Sequence, residues 1–182
     1  MLRLISIIGL KLFGFKITGD HRPDLLKKIY AVVPHTSNWD FPIGLMVMYK
    51  MRFRVNYFGK ASLFKGPFSW IFTKTGGIPI NRSKSNNTVQ DIVEIIKLRE
   101  TFTLALAPEG TRAKVDKLKK GFYHISKLAE IPIVLVRFDY QNKIIDFGEL
   151  FLPSDDIEMD FQYIRSYFNG VLGKNPENSL SV

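Results

Sequence analysis

The sequence contains no cysteine. That absence excludes a disulfide framework, a thiolate zinc site and a cysteinyl acyl intermediate, so any group transfer must use other chemistry. No Gly-x-Ser-x-Gly stretch occurs, which removes the serine nucleophile elbow from consideration. Long apolar runs are missing too. The most apolar stretch, residues 1–16, is interrupted by Arg3, Lys11 and Lys16, and no small-residue cleavage site follows it. As a helix it would reach about 24 Å, short of the ~30 Å hydrocarbon core of a bilayer. Acid is in deficit: 17 Asp and Glu stand against 26 Lys and Arg, a net charge of +9. A surface so biased attracts anionic partners, whether nucleic acid, an anionic membrane or a phosphorylated substrate. Internal repeats and domain-dividing linkers are absent, and 182 residues suit one globular domain.

What is present reads as strands alternating with helices. Apolar, β-rich runs over 29–33, 55–58, 101–107, 131–136 and 144–147 alternate with helical patterns over 42–50, 88–96, 121–130 and 157–168. A Gly-Pro-punctuated aromatic stretch over 65–72 predicts a short helix whose rings line a channel or join the core. Such alternation predicts an α/β sandwich with a mostly parallel central sheet flanked by helices. Three segments are expected: an amphipathic stretch 1–16, lying in a membrane interface or packed on the core; a domain over 17–170; and a Gly/Asn/Pro/Ser-rich tail, 171–182, that is flexible.

The chemistry-bearing stretch is Pro34-His35-Thr36-Ser37-Asn38-Trp39-Asp40, between a strand and a helix. His35 and Asp40 are five positions apart, which would place them about 140° apart on a helix and on opposite faces of a strand. They meet only if the chain turns between them, and Pro34, Ser37 and Asn38 are turn and capping residues. Pro42 fits the first turn of the helix that follows. On these residues alone a structural histidine is a better reading than a base. Further along, Gly76-Gly77-Ile78-Pro79-Ile80-Asn81-Arg82 predicts a turn, a short strand and an arginine suited to bidentate phosphate binding. Pro108-Glu109-Gly110-Thr111-Arg112 places an acid, a glycine, a hydroxyl and an arginine in a loop after a strand, where α/β sheets carry binding groups. Lys114, Lys117, Lys119 and Lys120 follow and could contact an anion or a membrane.

PHTSNWD, GGIPINR, PEGTR and IPIVLV, in this order and spacing over roughly residues 30 to 138, resemble the glycerolipid acyltransferases with the His-x4-Asp motif, which include 1-acylglycerol-3-phosphate acyltransferases. The resemblance implies O-acyl transfer from an acyl thioester, acyl-CoA or acyl-carrier protein, to the hydroxyl of a lysophospholipid, with no cofactor and no metal. It implies His35 as base, Asp40 as its partner, and Arg82, Glu109, Gly110, Thr111 and Arg112 as acceptor-binding groups. It also implies peripheral attachment to the cytoplasmic face of a membrane. Pro34, the Ile80-Asn81 pair and Leu135 depart from the family's common pattern.

Three other readings stay open at this point. The acceptor could be another lysolipid or hydroxyl compound. A metal-dependent hydrolase could draw on His35, Asp40, Glu109 and His124, although their spacings match no standard ligand set. A basic membrane-surface or nucleic-acid-binding module would explain the charge, but nucleic acid is not an expected partner, because the aromatics do not interleave with basic residues as a stacking platform needs.

Overall fold

The computed structural model describes residues 1–80 and 88–180. Its helices and strands follow one another as α1 (Leu2–Leu12), β1 (Lys16–Gly19), β2 (Lys27–Val33), α2 (Asp40–Met51), β3 (Tyr57–Lys60), α3 (Ser69–Lys74), β4 (Gly77–Ile80), α4 (Thr88–Lys97), β5 (Phe102–Leu106), α5 (Gly121–Ala129), β6 (Ile133–Asp139), β7 (Ile144–Phe151) and α6 (Ile157–Phe168). The main sheet runs in the order β1-β7-β6-β2-β5. Every pairing is parallel except β6 with β7, which a short turn joins as a hairpin. β3 and β4 form a parallel pair of their own, tied to β5 where Asn56 exchanges backbone hydrogen bonds with Thr103 and Ala105 at 2.7 and 2.8 Å. The expected mostly parallel α/β sandwich is therefore the observed fold.

The central strands read as continuous apolar runs because both of their faces are covered. On one side Ile29, Ala31, Val33, Leu104, Ile133 and Leu135 pack against α4, α5 and α6. On the other side Tyr30, Val134, Val136 and Phe138 pack against Leu10 of α1 and Ile43, Val47 and Met48 of α2. The helix ends have local causes. Asp156 caps α6 by accepting the N–H groups of Glu158 and Met159, while Arg52 and Glu130 close α2 and α5 in the left-handed conformation.

Three features differ from the sequence expectation. Residues 16–19 form edge strand β1 where the sequence predicts only a polar turn at Thr18-Gly19-Asp20, because pairing with Ile144 to Phe147 supplies hydrogen bonds that a short polar run cannot advertise. Of the aromatic stretch 65–72 only 69–72 is helical, as the start of α3, and a 3₁₀ turn, Ala61–Phe64, precedes it; Phe68 and Trp70 are exposed rather than packed into the core. The stretch after Gly170, expected to be flexible on composition, contains the turn Pro176–Asn178 and buries Ser179 and Leu180. Its Asn175 donates from its backbone to Thr36 Oγ1 at 3.1 Å and from its side chain to the Thr36 carbonyl at 2.9 Å.

Candidate active site

Parallel pairing of β2 with β5 and with β6 places the carboxyl ends of these three strands at one edge of the sheet. The residues that follow them, 34–40, 107–112 and 140, therefore converge. After β2 the Val33–Pro34 peptide is cis, and the chain turns before α2 begins at Asp40. The turn demanded by the five-residue spacing is present: His35 Nδ1 lies 2.8 Å from Asp40 Oδ2. The same oxygen accepts the Ser37 N–H at 3.0 Å, and Ser37 Oγ accepts the Trp39 N–H at 3.2 Å. Asp40 is buried, whereas the His35 side chain keeps about a quarter of its surface open (26%), so the imidazole is reachable from solvent while its partner is not.

Glu109 reaches this loop from the segment that follows β5. Its Oε1 accepts the His35 backbone N–H at 2.8 Å, and Oε2 is buried with no hydrogen-bond partner among the described residues. Burial raises the Glu109 carboxyl above its ordinary range, a shift only partly offset by the His35 N–H. Gly110 adopts a positive φ of 65°, and the side chain of Lys119 lies over it closely enough that a Cβ there would come within 2.6 Å of Nζ. Thr111 accepts the Ala113 N–H at 3.3 Å, and Thr111, Arg112, Lys114, Lys117 and Lys119 are exposed. Lys120 is partly engaged elsewhere, 3.1 Å from Glu158. Arg82 lies outside the described residues.

The structure thus brings His35, Asp40 and Glu109 together and leaves Arg112 and the lysines on an open rim. His124 sits on the exposed face of α5, beside Val89 and Lys127 rather than with the dyad. Among the described residues no group of three or more His, Asp or Glu side chains is arranged to hold a metal.

Two contacts lay beyond the sequence motifs. Tyr140 Oη donates to Asp40 Oδ1 at 2.6 Å, and Thr36 is held by Asn175 across 139 positions. The first carried a legible signal, a polar-tipped aromatic at the carboxyl end of a strand. The second carried none.

The geometry is that of a histidine–aspartate dyad with one imidazole nitrogen spent on the acid and the other without a hydrogen-bond partner among the described residues. The family model described as Acyltransferase matches residues 15–139, and the chain belongs to that family. No curated protein matches the chain by sequence. Among solved structures, the chain is similar to the 1-acyl-sn-glycerophosphate (LPA) acyltransferase PlsC from Thermotoga maritima, with a TM-score of 0.61, 15% identity, and coverage of 92% of this chain and 75% of that one. The protein is therefore an acyltransferase, as its four motifs led one to expect, on a fold shared with that enzyme.

Proposed function

We propose that this acyltransferase moves a fatty acyl group from an acyl thioester, acyl-CoA or acyl-carrier protein, to the free hydroxyl of a lysophospholipid, with 1-acylglycerol-3-phosphate the first acceptor to try. The observation that carries the reading is the 2.8 Å contact between His35 Nδ1 and Asp40. With Nδ1–H donated to the carboxylate, the lone pair sits on Nε2, where a neutral imidazole acts as a general base near neutral pH. Nε2 takes the acceptor's hydroxyl proton while the alkoxide oxygen attacks the thioester carbonyl. The tetrahedral intermediate then expels the thiolate, which recovers the proton from His35. No enzyme nucleophile is needed, in keeping with the absence of cysteine. Within the first turn of α2 the Ile43 amide already serves Trp39 and Pro42 has none, so the Phe41 N–H is a candidate oxyanion donor.

Acceptor phosphate binding is assigned to Arg82 and Arg112, whose guanidinium forks match phosphate oxygens. The acceptor named for the Thermotoga maritima enzyme supports this choice. Peripheral attachment to the cytoplasmic face of a membrane is part of the same proposal. Helix α1 rests on α2 through Gly9 and buried Leu10, yet turns Leu4, Ile5, Ile8 and Leu12 outward, Leu12 being 82% exposed. Such a stripe, flanked by Arg3 and Lys11, suits a helix lying in an anionic interface. No described helix is long and apolar enough to cross a membrane.

The test is purified protein with a panel of lysolipids and either acyl-CoA or acyl-carrier protein, following free thiol release. Turnover by the wild type and its loss in a folded His35→Ala variant are expected. Full activity in His35→Ala would sink the assignment of the base, and thiol release with no lysolipid in the panel would sink the acceptor class.

A further inference from the structure

The acid of the dyad is gripped from both sides, and the second grip comes from one residue past the family match, which ends at 139. Asp40 Oδ2 is committed to His35 and to the Ser37 amide, at 2.8 and 3.0 Å. Oδ1 faces Tyr140, whose hydroxyl donates across 2.6 Å, the shortest of the three contacts. Tyr140 is itself fixed. Its backbone N–H donates to the Leu172 carbonyl at 2.9 Å, its ring stacks on Phe138 at 5.4 Å, and it meets Phe15 edge-on at 5.2 Å. Burial and the facing carboxylate raise its pKa above the ordinary phenol value, which favours the protonated, donating hydroxyl.

We infer that Tyr140 is a positioning residue for acyl transfer, locking the rotation of the Asp40 carboxylate so that Oδ2 stays aligned with His35 Nδ1–H and Nε2 stays aimed at the acceptor. The inference rests on His35 being the base. Without the hydroxyl, Oδ1 becomes a buried carboxylate oxygen with no donor among the described residues, and the carboxylate can turn away from the imidazole. A tyrosine that merely ties β6 to α2 would lower stability alone. One that orients the dyad changes turnover through Asp40.

Three readouts of Tyr140→Phe separate these cases. The kcat should fall about tenfold while KM for donor and acceptor changes less than about twofold. In an Asp40→Asn background the same substitution should change kcat by less than about twofold, because the group it orients is already gone. The low-field His35 Nδ1–H proton resonance should move or broaden. An unchanged kcat, a full tenfold additive loss on top of Asp40→Asn, or an unchanged resonance would each overturn the inference. If Tyr140→Phe does not fold, site-specific difluorotyrosine at 140 keeps ring and hydroxyl and alters only donor strength; it should shift the same resonance, and no shift would overturn the inference. Wild-type protein that turns over no lysolipid, yet shows the resonance change, would count against the proposed function and leave the Tyr140–Asp40–His35 coupling standing.

Discussion

Two loops leave the same edge of the sheet and could hardly differ more. The loop from Pro34 to Trp39 commits most of its polar groups to the protein itself: His35 to Asp40 and Glu109, Ser37 to Asp40 and Trp39, Thr36 to Asn175. The loop after β5 buries only Pro108, Glu109 and Leu118, and offers Thr111, Arg112, Lys114 and Lys117 to solvent. Its buried acid, Glu109, is spent on the other loop, accepting the His35 N–H. The contrast follows from the work each must do. Under the proposed function, a base and its orienter have to be held in one geometry before the substrate arrives, whereas exposed cations can meet a mobile phosphate or a membrane surface by adjusting to it.

The contrast breaks or sharpens by substitution. Asp40→Asn, in the ordered loop, should give the largest effect, a fall in kcat on the order of 10²- to 10⁴-fold with little change in KM, read by steady-state thiol release. A change in KM alone would mean that the ordered loop only binds. Arg112→Ala should instead raise acceptor KM by about tenfold at nearly constant kcat, equivalent to one charge-assisted phosphate contact of about 1.5 kcal/mol. Each of Lys114→Gln and Lys117→Gln should weaken binding to anionic vesicles by roughly fivefold, about 1 kcal/mol per cation, and the difference should fade at high salt. Salt-independent binding would remove the rim from membrane recognition.

The smallest expected effect concerns the bridge between the loops. Burial raises the pKa of Glu109, so its contribution to stability is fully present below the ordinary glutamate value near ~4.3 and is lost as pH rises through the folded-state value. Glu109→Gln keeps an acceptor for the His35 N–H without the charge. The variant should melt above the wild type at pH 7, and the two midpoints should converge as pH falls toward 4. A gap that persists or widens in acid would contradict the sign.

Much of this arrangement was legible in the sequence. Apolar runs located β2, β5 and β6 because strands buried on both faces need no alternation, and the spacing of His35 and Asp40 required the turn that brings them together. The pairing partners of short polar segments were not legible. β1 exists because β7 lies beside it, and no local pattern within residues 16–19 announces that neighbour. The tail shows the same limit. Gly173 is needed because a Cβ there would come within 2.3 Å of Thr36 Oγ1, a requirement set by a residue far away in the chain. Helix α1 was readable as amphipathic, but periodicity does not say which side of a helix faces the core, and here the apolar stripe faces out.

Trp39 lies where the residue after α1 and the segment after Gly170 both meet the loop that carries His35. Phe13, just after α1, lies 5.7 Å from its ring, and the Lys174 ammonium of the tail lies 4.4 Å above it. Trp70 is the only other tryptophan of the 2 in the sequence. A Trp70→Phe protein would therefore carry a single emitter set between the exposed helix, the tail and the dyad. Its emission maximum, quenching by acrylamide and anisotropy would report in real time on vesicle docking and on ligand arrival, without any added label.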